Sequence, residues 1–599
     1  MIKSRIAAIR KVMLEEKVDW LYVPSEDFHQ SEYVRDYFKC REYLSGFTGS
    51  AGALLIGKNM AGLWTDGRYH IQAAKELKGT GIELFRVGQE GVKQILEYLL
   101  ENVGSGDVVA FDGRVVNAKT ASQLEMRLNY QGAVLKYDLD LVDRVWEDRP
   151  ELLPHEEIYN LDYMYCGKST TDKLADIRAY MESVGATCHV ISTLEDIAWI
   201  LNVRGNDIKN CPVVLSYLVI TKDFAVWFTH EEDMQETVAV AMEKVGVVTT
   251  DYADLLKYLG NLPTNQRVLL DKSKVNFAIK KVLENRHIQL IDYPNPSLKM
   301  KAMKNEIEQK NLVDAHIKDG IAVTKFMYWL KNNIGKNPMT EISTAEYLES
   351  LRGMMLNYKG PSFDTISAYN ENAAMMHYSA TEESCATLKA EGMLLVDSGG
   401  HYLEGSTDIT RTFVLGQVED EWKKHFTLVV KGMLALSDAK FLYGCNGQNL
   451  DILARGPLWS EGLDYRCGTG HGVGYMLSVH EGPNGFRWKT VAERNDSGVF
   501  EEGMVTSNEP GVYIEGSHGI RIENELLCKE AFVNEYGRYM CFETLTLAPI
   551  DLDGIDTRYL NGEDIERLNR YHEKVYSELA EYLDEDEKSW LKEYTRKLI

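Results

Sequence analysis

No run of about 18 apolar residues occurs anywhere in the 599-residue chain, which excludes a membrane-spanning helix. Cysteine is scarce and scattered: nine residues, an odd number, with no CxxC pair. That excludes a disulfide framework and points to reduced thiols in a cytosol. Positive charge is in deficit, with 66 Lys and Arg against 91 Asp and Glu and a net charge of −25. So acidic a chain argues against a general nucleic-acid binder, because neutralising phosphate needs a basic face. The opening run Met1-Ile2-Lys3-Ser4-Arg5-Ile6 reaches Arg10 and Lys11 before any apolar stretch of signal-peptide kind, so the expected location is cytoplasmic. The glycines at 468–474 lack GxGxxG spacing, so a Rossmann fingerprint is missing. Gly482-Pro483 after His480-Glu481 breaks the helix that an HExxH zinc site requires.

What is present is enough apolar material, 44% hydrophobic and 10% aromatic, for sizeable cores, and a length suited to roughly three to five domains. The first three hundred residues read as two copies of one α/β unit. Ile6, Ile9 and Met13 mark one face of a helix, and Leu174, Ile177 and Met181 mark its counterpart. Each helix leads into a β-type run, Trp20-Leu21-Tyr22-Val23 and Cys188-His189-Val190-Ile191. Later in each copy come Phe111-Asp112-Gly113-Arg114-Val115-Val116-Asn117 and Leu270-Asp271-Lys272-Ser273-Lys274-Val275-Asn276. Matched landmarks in the same order imply duplication, with alternating helices and strands in mixed sheets. A charged, proline-bearing connection from Trp146 to Thr170 separates the copies, and Pro294-Asn295-Pro296-Ser297 precedes a long helix expected from about Lys304. The expected domains are 1–158, 159–303, 304–549 (rich in glycine and short strands) and a charged helical extension over 550–599.

The chemistry concentrates between 360 and 525. Leu394-Leu395-Val396-Asp397 is a buried-type strand ending in an acid, and Asp408 follows eleven residues later, where a hairpin would bring the two carboxylates together. His471 sits in Gly468-Thr469-Gly470-His471-Gly472-Val473-Gly474, whose glycines let the backbone approach closely. Glu509 precedes the turn Pro510-Gly511, and Glu523 lies fourteen residues on, at an antiparallel return. Four carboxylates and one imidazole on apolar strands are costly unless paired or metal-bound. Brought together without cations they would repel one another and shift upward in pKa. A divalent metal removes that objection. Oxygen-rich ligation with one imidazole favours Mn²⁺ or another hard-to-borderline ion over thiolate zinc.

The order Asp397, Asp408, His471, Glu509, Glu523 resembles the dinuclear-metal pita-bread peptidases of family M24, which include methionine aminopeptidase, prolidase and aminopeptidase P. Gly360-Pro361-Ser362-Phe363-Asp364-Thr365-Ile366, Met376-His377-Tyr378, Asp408-Ile409-Thr410-Arg411-Thr412, His480-Glu481-Gly482-Pro483 and Glu509-Pro510-Gly511 are similar to the long, three-domain Xaa-Pro aminopeptidase branch. So are Tyr43-Leu44-Ser45-Gly46-Phe47-Thr48-Gly49-Ser50-Ala51-Gly52 and Thr65-Asp66-Gly67-Arg68-Tyr69 in the first unit. The resemblance implies an α/β (α+β) chain with two creatinase-like N-terminal units, a pita-bread catalytic domain and a C-terminal helical extension.

It also implies that Asp397 and Asp408 bind one metal, with Asp408 reaching the other, and that His471, Glu509 and Glu523 complete the second site, with Glu523 bridging. His377 takes the place of the histidine beside the scissile carbonyl, His480 that of a second substrate-contacting histidine, and Glu509 that of the group taking the water's proton. The implied cofactor is a pair of divalent ions, Mn²⁺ first, with Zn²⁺ or Co²⁺ as alternatives, and the implied nucleophile is a hydroxide bridging them. The implied substrate is a peptide with penultimate proline, and the implied assembly is a homodimer, to which Tyr571, Val575, Leu579 and Tyr582 in the last region would contribute an amphipathic series. A prolidase acting on dipeptides is the alternative enzyme, and a non-catalytic pita-bread binding protein the alternative class. Cys467, His401, Ser406 and the pair Asn370-Glu371 depart from the branch's commoner pattern, and none of them is an expected ligand.

Overall fold

The computed structural model describes residues 1–153, 156–490 and 496–599; Pro154 and His155, inside the expected first connection, lie outside the described residues. The chain divides into two compact units, Met1–Asp162 with Lys168–Ser297, and Tyr163–Gly167 with Leu298–Ile599. Among the described residues, no helix is long and apolar enough to cross a membrane.

The first unit holds the duplication. Helix α1 (Ile2–Glu15) buries Ile6, Ile9, Val12 and Met13, the face that its periodicity marks. It leads to β1 (Trp20–Val23), followed by β2 (Ala53–Gly57), β3 (Ala61–Thr65), β4 (Glu83–Arg86), β5 (Val108–Ala110), α2 (Ala118–Gln131) and β6 (Val134–Lys136). The second copy runs α3 (Thr170–Ser183), β7 (Cys188–Ile191), β8 (Tyr217–Thr221), β9 (Ala225–Thr229), β10 (Val247–Asp251), β11 (Arg267–Leu270), α4 (Phe277–Asn285) and β12 (Gln289–Asp292). The two sheets share one strand order, β4-β3-β2-β1-β5-β6 and β10-β9-β8-β7-β11-β12. The repeated strings end in the same device. Asn117 caps α2 by accepting from the Thr120 N–H at 2.8 Å, and Asn276 caps α4 by accepting from the Ile279 N–H at 3.0 Å.

In the second unit, α5 (Glu306–Asn333) starts from a capping box of Asn305 and Glu308. The short segment Tyr163–Gly167 belongs to this unit: Asn305 Nδ2 donates to the Cys166 carbonyl at 2.9 Å. Gly167 turns there with φ +63°, and a Cβ would meet Asn305 Oδ1 at 2.2 Å. After α6 (Glu341–Gly353), strands β13 (Ile366–Tyr369), β14 (Met393–Ser398) and β15 (Ile409–Val414) form an antiparallel sheet with β14 in the centre. The expected hairpin between Asp397 and Asp408 is indirect, because Gly400–Tyr402 and Gly405–Ser406 between them join a separate three-stranded sheet.

Helix α7 (Asp420–Ser437), β16 (Lys440–Leu442) and α8 (Gly447–Trp459) precede β17 (Gly470–Gly472), β18 (Glu481–Phe486), β19 (Val505–Asn508), β20 (Gly511–Ile514), β21 (His518–Arg521), β22 (Asn524–Asn534) and β23 (Gly537–Thr544). Six of these strands make one sheet in the order β16-β23-β22-β19-β17-β18, while β20 and β21 form an antiparallel pair. Helices α9 (Gly562–Leu579) and α10 (Glu585–Tyr594) close the chain. The series read as a self-association seam packs within its own unit instead: Tyr571, Val575 and Leu579 are buried in a core with Phe426, Val430 and Ile520, and only Tyr582 is exposed. The Tyr571 hydroxyl accepts from Arg411 Nη2 at 2.7 Å, and the same guanidinium reaches the Glu523 carbonyl. The extension thereby braces the strands that carry two of the acids.

Candidate metal centre

Each expected ligand stands at a strand end or in a short strand. Asp397 is near the end of β14 and faces Thr410 in register, while Asp408 directly precedes β15 and its N–H donates to Glu525 Oε1 at 2.5 Å. Glu523 follows β21, with its Oε2 accepting from the Thr410 hydroxyl at 2.7 Å and its N–H donating to the Thr410 carbonyl at 3.1 Å. Glu509 follows β19, and its N–H donates to the Thr469 carbonyl at 2.7 Å. His471 lies in β17, and the flanking glycines have a steric reason. A Cβ at Gly470 would sit 1.8 Å from the Ser507 carbonyl oxygen, and one at Gly472 would sit 2.1 Å from that of Glu481.

The donor atoms converge. Ligand atoms of Asp408, His471 and Glu523 lie within 4.8 Å of one another. His471 Nε2 is 3.4 Å from both Asp408 Oδ2 and Glu509 Oε1. Ser507 ties the group together: its hydroxyl oxygen accepts from the His471 N–H at 3.0 Å and its proton goes to Glu509 Oε1 at 3.1 Å. The His471 Nδ1 is 3.0 Å from the Gly472 carbonyl oxygen, a contact that requires the proton on Nδ1. Nε2 is thereby left facing two carboxylates, a position in which a cation would be held by all three. Asp397 is held differently. Its Oδ2 pairs with Arg521 Nη2, while its Oδ1 is buried without a hydrogen-bond partner among the described residues. Burial pushes Asp408 and Glu523 well above the usual carboxylate range, reinforced for Asp408 by Asp397 and Glu509 and for Glu523 by Asp408 and Glu509. An orphaned carboxylate oxygen, an imidazole nitrogen aimed at two carboxylates and mutually repelling acids fit a divalent pair in chemistry and in number of donors.

Both expected substrate histidines are half-buried. The His480 ring meets the His471 ring edge to face, with centroids 4.2 Å apart. Next to it, Glu481 is gripped by Lys301 Nζ at 3.1 Å and Lys304 Nζ at 2.6 Å. Burial opposes ionisation of Glu481, and the two ammonium groups outweigh it, holding the carboxyl below its ordinary range. His377 lies in a turn after the 3₁₀ segment Asn370–Ala374. Burial, followed by Glu509, pushes the Cys467 thiol up to about 11, so it stays protonated at neutral pH. His401 and Ser406, two of the departures from the branch pattern, pair with each other at 2.8 Å across neighbouring strands.

Sequence reasoning assigned no role to Arg521, Thr410, Ser507 or Glu525. The available signal was a cation two residues before Glu523 on an otherwise acidic, buried return.

Comparison with known proteins agrees with this geometry. Residues 310–530 match metallopeptidase family M24, residues 5–140 and 148–308 each match a creatinase/prolidase N-terminal domain, and residues 538–598 match the C-terminal region of peptidase M24. Aminopeptidase P1 of Arabidopsis thaliana is 35% identical over 645 residues, covering 98% of this chain and 98% of its own. A protein of Talaromyces marneffei named "Probable Xaa-Pro aminopeptidase P" is 37% identical, covering 99% of this chain and 92% of its own. Among solved structures, the X-prolyl aminopeptidase from Caenorhabditis elegans, described as a cytosolic enzyme with a di-nuclear active site, superposes with TM-score 0.94 at 32% identity and covers 100% of both chains. Two creatinase-like units, a pita-bread domain whose acids and histidine converge and full-length similarity to these proteins place the chain in metallopeptidase family M24, within its aminopeptidase P branch.

Proposed function

We propose that the chain releases the N-terminal residue from peptides whose second residue is proline, and that Asp397, Asp408, His471, Glu509 and Glu523 hold two divalent ions, Mn²⁺ first. The observation that carries this reading is the convergence of the Asp408, His471 and Glu523 donor atoms within 4.8 Å. When bound, the ions supply Lewis acidity and a water acidified enough to act as nucleophile near neutral pH.

The chain's own groups do the rest. Glu509, hydrogen-bonded by Ser507 at 3.1 Å, takes the proton of the attacking water. His377 donates to the oxyanion that develops on the scissile carbonyl. His480, stacked edge-on against His471, contacts the carbonyl after the proline. Proline has no amide hydrogen and a fixed φ, so a site shaped for its ring loses no donor and gains a rigid substrate.

The domain organisation we assign is 1–158, 159–303, 304–549 and 550–599. A homodimer is supported by the family resemblance. A cytosolic location is supported by the similar nematode enzyme and by nine cysteines that are all unbridged.

Release of the first amino acid from an Arg-Pro-Pro-type peptide, an Arg-Ala-Pro analogue and an Xaa-Pro dipeptide, with and without Mn²⁺, tests the reading. The tripeptide with proline second should be cut best. Equal rates with alanine would mean a broad aminopeptidase, and cleavage of the dipeptide alone a prolidase.

A further inference from the structure

Glu341 is the first residue of α6, fully buried at 0% exposure, and no basic side chain among the described residues pairs with it. Its charge is held by hydrogen-bond donors and by the helix N-terminus. Oε1 accepts from the Tyr369 N–H at 2.7 Å and from Asn372 Nδ2 at 3.0 Å. Oε2 accepts from the Tyr378 hydroxyl at 2.8 Å and from the Ala386 N–H at 2.8 Å. One oxygen therefore holds the start of the segment that follows β13, and the other holds its end. The Glu341 N–H closes the ring by donating to the Ala386 carbonyl at 3.2 Å.

His377 lies inside this closed segment, next to Tyr378. The other side of the segment is fixed by β21, the strand that leads to Glu523. A Cβ at Gly519 would fall 1.8 Å from the Ala373 carbonyl oxygen, so the two backbones touch there. The segment carrying His377 is thus set against the strand that leads to Glu523 on one side, through Ala373, and against a single buried carboxylate on the other.

We infer that Glu341 is a positioning residue for His377: its carboxylate closes the segment 369–386 and so fixes where the His377 imidazole stands relative to the metal centre. This rests on the assignment of His377 as the oxyanion donor. Glu341 lies outside the assigned ligand set, and its hydrogen bonds all go to the segment through which it acts.

Glu341→Gln presents an NH₂ to two of the four donors and keeps the volume. A displacement of the order of 1 Å at a reacting group costs about 10²-fold, so kcat should fall about 10- to 100-fold while KM and bound metal stay unchanged. Tyr378→Phe removes a single donor, should still fold, and should lower kcat in the same direction by less. Each substitution is then repeated in a His377→Ala background, where neither should lower kcat further; a general loss of stability would act alike in both backgrounds. Unchanged kcat in both single variants, or an equal fall with and without His377, overturns the inference. Should Glu341→Gln fail to fold, the Tyr378→Phe cycle decides alone. A metal-loaded His377→Ala enzyme of near-normal kcat would instead defeat the assignment of His377. An impaired His377→Ala together with unaffected Glu341 and Tyr378 variants would defeat this inference only.

Discussion

Arg521→Met should weaken the metal-free protein far more than the metal-loaded one. Arg521 is 3% exposed, and among the described residues its guanidinium donates from Nη2 to Asp397 Oδ2, from Nη1 to the Tyr513 hydroxyl at 2.7 Å and from Nε to the Thr410 hydroxyl at 3.0 Å. Without metal, the substitution leaves Asp397 buried, unpaired and beside acids already forced upward in pKa, and breaking such a pair costs about 3–5 kcal/mol. With cations bound, Asp397 keeps a counter-charge, and the loss reduces to the hydrogen bonds of Tyr513 and Thr410, about 1 kcal/mol each. Those two bonds are lost in both states and cancel, so the difference of about 3–5 kcal/mol appears by linkage as metal binding roughly 10²- to 10⁴-fold tighter in the variant. The assay is urea unfolding of the chelated and Mn²⁺-saturated proteins, with a competition titration for metal affinity. An equal loss of stability in both states, or unchanged metal affinity, would refute the argument that Asp397 exchanges Arg521 for a cation.

Asp408→Ala should abolish activity and lower the metal content measured by elemental analysis, since this carboxylate is assigned to both ions; an unchanged stoichiometry would remove that assignment. His377→Ala should keep its metals and lose about 10²–10³ in kcat, the range for one oxyanion donor, in steady-state assays with saturating Mn²⁺. Burial, followed by Arg411 and Arg596, lowers His572 to about 3, while its ordinary value is 6.5. A depressed folded value means that the stability is present above pH 6.5 and is lost as pH falls toward 3, at about 1.4 kcal/mol per unit. His572→Gln keeps an acceptor for the Ile550 N–H at 3.1 Å and should flatten that slope. Parallel unfolding slopes for both proteins between pH 7 and 5 would contradict it.

Much of the architecture was legible because its causes are local. The apolar spacing of Ile6, Ile9 and Met13, and the Asn caps at 117 and 276, act within a turn or two of helix, so duplication could be read before any sheet was seen. The types of the candidate ligands were legible for a related reason: acids at the ends of apolar strands are expensive, and the expense marks them.

What the sequence by itself determined was therefore the repeat, the elements and the candidates for metal ligation. Only the tertiary structure decided which groups meet. Asp397 and Arg521 are 124 positions apart, and Thr410 and Glu523 are 113 apart. Tyr378 reaches Glu341 across 37 residues. No local pattern encodes such pairs, since the preference that creates each one, a buried charge or hydroxyl seeking its partner, exists only after the strands have packed and excluded water. The C-terminal series shows the same limit. Tyr571, Val575 and Leu579 specify an apolar face, but the sequence does not say what covers it, and in the fold that face is covered by the core beside the strands that carry Asp408 and Glu523.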